Sequence, residues 1–96
     1  MTLTRLPAVA SVQIDNDRLK VTEWRFSPGA ETGHHRHAMD YVVVPMTTGT
    51  LLLETSQGEV RSALVAGQSY ARSAGVEHNV VNDNEHEFVF IEIELK

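Results

Sequence analysis

Short apolar stretches alternate with turn-forming residues along the chain, and most of them end at glycine, proline, serine, asparagine or aspartate. This pattern is typical of all-β sandwiches and barrels. No window repeats apolar residues at positions i, i+3, i+4 and i+7 between helix caps, so no long helix is expected. The pattern predicts about eight strands, at residues 9–14, 19–26, 41–44, 50–54, 60–65, 69–72, 76–81 and 87–95.

Two of the predicted strands carry more detail. The last one alternates between an apolar face and an acidic face, which predicts a half-buried strand: Val89, Ile91, Ile93 and Leu95 against Glu92 and Glu94. In residues 19–26 the apolar positions change parity between Val21 and Trp24. Either a bulge near Thr22 or Glu23, or a strand covered on both faces, explains that change.

The length of 96 residues predicts one domain over residues 1–96, with its barrel at about 9–95. The net charge is −5 and the cations are scattered, so no basic stripe forms for nucleic acid. The chain has no cysteine, no apparent signal peptide and no apolar run long enough to span a membrane. We therefore expect a cytoplasmic protein without nucleic-acid or membrane partners. A barrel this small leaves strand edges for a second copy to cover, which predicts a homodimer.

The histidines are the residues with the clearest chemistry. His34, His35 and His37 lie within four residues of one another, and His78 follows in a later predicted strand. A spacing of two places His35 and His37 on the same face of a strand, which makes half of a metal site. A tight turn at Gly75 can start the strand that carries His78 back across the interior. Spacing alone leaves open which face His78 takes.

Two motifs in the chain resemble those of the cupin family. In the first, a glycine is followed after five residues by His-x-His, and Gly29 precedes His35 to His37 in this way. The second matches in its spacing, with serine in place of the proline: Gly67, Ser73, Gly75, His78 and Asn82. The resemblance implies a double-stranded β-helix, or jelly-roll barrel, whose ligands His35, His37 and His78 hold a divalent metal such as iron, zinc, nickel or manganese. Residues 40–45 resemble a group of small bacterial cupins, some of which are named β-alanine degradation proteins.

The first motif departs from the family at its glutamate, which should stand at position 41 or 42. Those positions hold Tyr41 and Val42, and the nearest carboxylate is Asp40, one residue early. A regular strand places position 41, not 40, on the face of the histidines. Either a bulge brings Asp40 to the metal or the site has three histidines alone, and we favour three histidines. Tyr41, if it points inward, can donate a hydrogen bond or a proton to a bound ligand, which makes it the candidate catalytic residue.

The remaining polar residues are assigned structural roles. His34 has the opposite parity to the candidate ligands and is expected to face away from them, whereas His86 is expected in an exposed turn. Asn82 is expected to fix a turn through side-chain to backbone hydrogen bonds, and Arg36 and Arg72 are expected on the surface. The interior is expected to be apolar, with residues such as Val43, Leu52, Val80 and Phe90.

The predicted site favours a metal-dependent enzyme of the dioxygenase or isomerase type, with hydrolysis also open, acting on a small-molecule ligand. Three neutral histidines leave the charge of a divalent metal uncompensated, so anionic or chelating ligands are expected. A non-catalytic binding or sensor module is the alternative, because no clear general base stands beside the histidines. A structural dimer with an empty site is the third hypothesis. Because imidazole titrates near about pH 6.5, metal retention is expected to fall as the pH drops through that value.

Overall fold

A computed structural model describes residues 4–96, which form an all-β fold, as the sequence predicts. These residues contain nine strands: β1 (Val9–Asp15), β2 (Leu19–Phe26), β3 (His35–Arg36), β4 (Tyr41–Pro45), β5 (Gly49–Thr55), β6 (Gly58–Leu64), β7 (Tyr70–Arg72), β8 (Glu77–Asn82) and β9 (Phe88–Leu95). Over the same range, no helix is long and apolar enough to cross a membrane.

The strands form two antiparallel sheets around one core. The five-stranded sheet has the order β1-β2-β9-β4-β7, and the four-stranded sheet has the order β3-β8-β5-β6. Both sheets contribute buried side chains to the same hydrophobic cluster: Phe26, Tyr41, Val43, Phe88 and Phe90 from the first, and Leu51, Leu64 and Val80 from the second. The functional residues discussed below lie where this core opens into a cavity.

Strand β3 is the element that the hydrophobic pattern did not predict. It has only two residues, and they pair with Glu77 and His78 of β8. A segment this short contains no apolar alternation, so its strand character comes entirely from the pairing with β8. The eight predicted strands are all present, with each boundary within two residues of its predicted position.

The change of parity in β2 is explained by burial on both faces. Strand β2 pairs with β9 without interruption from Leu19 to Phe26, so the bulge predicted near Thr22 or Glu23 is wrong. The irregularity lies in the neighbouring strand β1, between Val12 and Ile14. Val21 and Thr22 are both buried although they point to opposite faces, which confirms the second interpretation.

The inner face of β9 is the opposite of the one that its apolar alternation suggests. Phe88, Phe90 and Glu92 are buried on the core side, whereas Ile91 and Ile93 lie on the outer face and are half-buried. The interpretation of β9 as a strand with an outward acidic face is therefore wrong. The two phenylalanines fill the core at one end of the strand, and this places the glutamates beside the cavity at the other end.

The four predicted interior residues are all buried, but one lies outside the core cluster. Val43, Val80 and Phe90 belong to that cluster, whereas Leu52, which is 6% exposed, lies on the opposite face of β5. Leu51 and Leu53 take the inward positions instead. Three successive leucines give no alternation, so the sequence pattern does not distinguish the two faces at this point.

Candidate metal centre and its cavity

Three histidines converge on one point of the cavity wall. His35 on β3 is the cross-strand partner of His78 on β8, and His37 lies one residue beyond β3. The Nε2 atom of His37 is 3.0 Å from Nε2 of His35 and 3.1 Å from Nε2 of His78. The structure thus brings together the three residues predicted as metal ligands, which we call the histidine end of the cavity.

The turn at Gly75 fixes the position of His37. The His37 backbone N–H donates to the carbonyl of Val76 over 2.8 Å, and the Gly75 N–H donates to the carbonyl of His37 over the same distance. Gly75 has a φ of +98°, which favours glycine over residues with a β-carbon. The glycine of the second motif therefore holds the histidine of the first motif next to β8.

A hydrogen bond on the far side of the His35 ring selects its tautomer. The Nδ1 atom lies 2.9 Å from the carbonyl oxygen of Gly33, and a carbonyl can only accept, so Nδ1 carries the proton. The lone pair is then on Nε2, which faces the other two histidines, as a metal ligand requires. The Gly33 N–H in turn donates to Oδ1 of Asn79 over 3.0 Å, so β8 supports this loop from behind.

Burial keeps two of these imidazoles in the neutral, metal-binding form. His37 and His78 are 6% and 8% exposed. Burial, with the nearby His35 as a smaller cause, lowers the pKa of each from 6.5 to about 4. Three imidazole nitrogens lying within 4.8 Å of one another are a donor set that suits divalent transition metals. The residues present therefore fit such an ion.

Tyr41 and Asp40 have different surroundings. Tyr41 is buried and its ring stacks on that of His37, with 3.8 Å between centroids and 16° between planes. Asp40 is exposed, and its Oδ1 accepts a hydrogen bond from the Ala74 N–H over 2.7 Å. No bulge brings Asp40 to the histidines, so position 41 takes the inward face, as strand parity predicts. Burial raises the pKa of Tyr41 to about 12, so its phenol stays protonated at neutral pH.

The cavity beside the histidines has a volume of about 350 Å³, at the small end of the range for ligand sites. Much of its wall is apolar, with contributions from Val43, Leu51, Val80 and Phe90. Arg36 and Arg72 are exposed residues, as predicted, but both also line the cavity. The site can therefore enclose a small molecule in mainly apolar surroundings with cationic groups at its rim.

The other end of the cavity carries a buried carboxyl group that the sequence pattern did not reveal. Glu92 is 8% exposed, and burial raises its pKa from 4.5 to about 7, with repulsion from Glu94 as a smaller cause. Trp24 and Tyr70 line the cavity on the strands β2 and β7. We call Glu92, Trp24 and Tyr70 the Glu92 end. The sequence feature that could have indicated this burial is the position of Glu92 on the same strand face as Phe88 and Phe90.

The remaining predicted roles agree with the structure. His34 is exposed and its ring faces Glu77, and His86 is exposed in a turn. Asn82 is 1% exposed, and its side-chain amide donates to the carbonyls of residues 26, 27 and 86. Its Oδ1 accepts from the backbone of Asn84 over 3.0 Å. Asn82 therefore joins two turns behind the core and has no contact role at the histidine end.

Comparison with solved structures defines the class of this fold. The chain superimposes on a cupin domain from Bordetella pertussis with a TM-score of 0.97, 65% identity and 99% of each chain covered. It also matches a double-stranded β-helix protein from Klebsiella pneumoniae with a TM-score of 0.78 and 20% identity, covering 98% of this chain and 81% of that one. The barrel is a double-stranded β-helix, and the chain belongs to the cupin family.

Within that family the chain is similar to a particular curated protein. It is 64% identical over 92 residues to the β-alanine degradation protein BauB of Pseudomonas aeruginosa, covering 96% of this chain and 97% of that protein. No family model matches the chain. The chain is therefore a small BauB-like cupin, and the resemblance inferred from its two motifs is confirmed.

Proposed function

We propose that this protein is a metal-dependent enzyme acting on a small anionic molecule in the breakdown of β-alanine or a related β-amino acid. The observation that carries the proposal is the convergence of three imidazole nitrogens on the wall of a small, mainly apolar cavity. The name of the BauB relative supports the substrate class. Three protein ligands leave coordination positions for a substrate, which is the arrangement of catalytic rather than structural sites.

The residues around the cavity supply binding, orientation and exclusion of water. His35, His37 and His78 would hold the ion, which supplies Lewis acidity or, as iron, oxygen chemistry. Tyr41 is protonated at neutral pH and can donate a hydrogen bond to a ligand that reaches it. Arg36 and Arg72 at the rim favour the entry of an anion, and the apolar wall strengthens every charge interaction inside.

A non-catalytic metal-binding or sensor module is the second candidate. The observation that favours it is the position of Asp40, whose carboxylate bonds to the backbone of Ala74 instead of facing the histidines. The centre thus has no carboxylate ligand from β4, and Tyr41 stands in the corresponding place with a high pKa. A centre that binds a small molecule without turning it over has no need of a strong base beside the metal.

Metal content tests the ligand assignment. Elemental analysis of the purified wild type should give about one divalent transition metal per chain, and His35→Ala should lose it. His34→Ala is the matched control, because His34 is the adjacent histidine and its exposed ring faces Glu77 instead of the cluster. Equal metal content in the wild type and His35→Ala would contradict the assignment.

Turnover separates the enzyme from the binder. The metal-loaded protein is incubated with β-alanine and with three-carbon carboxylic acids that lack its amino group or have a different oxidation state. Products are followed by NMR. Consumption that depends on His35 supports the enzyme, and oxygen uptake with bound iron would indicate an oxygenase. Saturable binding without consumption, particularly with bound zinc, would support the sensor module instead.

We also propose that a second copy of the chain covers the outer face of the five-stranded sheet. Val21, Ile93 and Val42 are cross-strand neighbours on that face, and every residue of the edge strand β1 is exposed. An apolar outer face beside an exposed edge strand is typical of an interface. Sedimentation should show a dimer that Ile93→Lys dissociates. Val60→Lys, an exposed position on β6, is the control, and a stable wild-type monomer at micromolar concentration would refute the proposal.

A further inference from the structure

The Glu92 end of the cavity has chemistry that the histidine end does not use. Glu92 faces the cavity from β9, and its cross-strand partners are Thr22 and Val43, so it lies away from β3 and β8. Tyr41 lies between the two ends, because it stacks on His37 and its pKa is raised slightly by the charge of Glu92. The cavity thus has nitrogen donors at one end and a carboxyl group at the other.

Few hydrogen-bond donors and positive charges lie near the Glu92 carboxyl group. The indole N–H of Trp24 is close enough to lower the pKa of Glu92, yet its geometry makes no hydrogen bond with any described residue. Lys20 on β2 exerts only a weak charge effect, and Glu94 repels. A buried carboxyl group with so little compensation is unfavourable unless a ligand supplies the missing positive charge and donors.

The rings around Glu92 suit a cation. Trp24, Tyr41, Tyr70 and Phe90 line the same cavity, and aromatic faces attract ammonium groups. Arg72 already demonstrates this at the rim, where its guanidinium lies 4.6 Å from the centre of the Tyr70 ring. Arg72 also donates to the carbonyl of Ala71 over 2.9 Å, so it is held at the rim and is not the partner of Glu92.

We propose that Glu92 and the aromatic rings beside it form a subsite for a protonated primary amine. The cavity then selects small molecules that carry an ammonium group at one end and a metal-binding oxygen group at the other. This inference rests on the proposed function for the second group, because the histidine end must hold the metal. Apart from Tyr41, whose ring stacks on His37, the side chains of the ammonium subsite stand apart from the three histidines.

Binding of three matched probes tests the subsite. β-Alanine carries both groups, propionate lacks the amine, and n-propylamine lacks the carboxylate. Trp24 is the only tryptophan in the chain and lines the cavity, so its fluorescence reports binding, with calorimetry as a second measurement. In zinc-loaded wild type, β-alanine should bind about tenfold or more tighter than propionate, because a buried charge-assisted pair is lost with the amine. Equal affinities would overturn the proposal.

Two glutamate variants locate the amine. Glu92→Gln keeps the shape of the side chain but removes its charge, and it should bring the two affinities within about twofold of each other. Glu94→Gln removes a charge from the same strand, and it should keep the tenfold preference. A preference that survives in Glu92→Gln would refute the subsite. If Glu92→Gln does not fold, NMR of ¹³C-labelled glutamate in the wild type must show the Glu92 carboxyl shifting with n-propylamine.

The metal-free protein separates this proposal from the proposed function. His35→Ala, or the wild type treated with a chelator, should lose propionate binding but still bind n-propylamine within about threefold of the zinc-loaded protein. Binding of n-propylamine, together with the absence of metal from every preparation, would support the subsite and contradict the metal-dependent function. Loss of amine binding in the folded, metal-free protein would overturn the subsite.

Discussion

The two ends of the cavity respond to burial in opposite directions. At the histidine end, burial lowers the pKa of His37 and His78 to about 4. At the Glu92 end, burial raises the pKa of Glu92 to about 7. In each case burial disfavours the charged form, which is a cation for histidine and an anion for glutamate. The same cavity wall therefore favours the neutral, metal-binding form of the histidines at one end and the protonated form of the carboxyl group at the other.

This difference indicates how the cavity responds to a ligand. Adding a divalent cation at the histidine end introduces positive charge into surroundings of low dielectric constant, which favours ionisation of Glu92. An ionised Glu92 in turn favours a cationic group on the bound molecule. We expect the two ends to be coupled through this electrostatic term, although no hydrogen bond between them is needed.

The largest expected effect separates the two ends by their contribution to metal affinity. His78→Ala removes one of three nitrogen donors and should weaken metal binding by about a hundredfold or more. Glu92→Gln, at the opposite end, should change the same affinity by less than about tenfold, since it removes only a distant charge. A competitive titration with a chromogenic chelator measures both. Similar losses in the two variants would mean that Glu92 contributes to the metal centre itself.

The pH dependence of metal retention sharpens the description of the histidine end. Protons compete with the metal for the imidazole lone pairs, and His37 and His78 accept protons only near pH 4 in the folded protein. Release on acidification should therefore occur well below the value of about 6.5 that the sequence predicted, because that prediction assumed exposed imidazoles. The metal remaining after dialysis between pH 4 and pH 8 gives the midpoint. Complete release at pH 6.5 or above would contradict the buried ligand set.

The free energy of unfolding of the metal-free protein should fall on both sides of neutral pH, with Glu92 responsible on the alkaline side and the histidines on the acidic side. The folded pKa of Glu92 is raised, so its stabilising effect is complete below the unfolded value of 4.5 and is lost as the pH rises through about 7. The lowered pKa values of His37 and His78 reduce stability as the pH falls from 6.5 towards about 4. In this range the two residues bind protons in the unfolded chain but not in the folded chain.

The Glu92→Gln variant isolates the loss of stability at alkaline pH. At pH 8 this variant should be more stable than the wild type by about 1–2 kcal/mol, whereas at pH 5 the two should be nearly equal. Urea unfolding of chelator-treated protein at both values measures the difference. Glu94→Gln is the control and should show a smaller change, because Glu94 is less buried. A stabilisation that is the same at both values would show that ionisation of Glu92 is not its cause.

The sequence predicted one end of the cavity much better than the other. The His35 and His37 pair follows from strand spacing, whereas His78 was assigned through the resemblance of the second motif to that of the cupins, because spacing left its face open. Glu92 looked like a solvent-facing glutamate, since alternation in β9 shows two faces but not which one is inside. That choice depends on Phe88 and Phe90 filling the core, which is a property of the packed barrel. The three successive leucines of β5 hide the parity of Leu52 for a similar reason.

Tyr41 connects the two ends and gives the smallest expected effect on metal affinity. Its ring stacks on His37, so Tyr41→Phe keeps the contact and should leave metal affinity within about twofold of the wild type. Tyr41→Leu loses the stacked ring and should weaken it by about three- to tenfold, because an aromatic pair contributes roughly 1 kcal/mol. If the phenol hydroxyl is the hydrogen-bond donor of the catalysed step, Tyr41→Phe should lower the turnover of the metal-loaded protein while metal content stays constant. Unchanged turnover in Tyr41→Phe, with reduced metal affinity in Tyr41→Leu, would restrict Tyr41 to orienting His37.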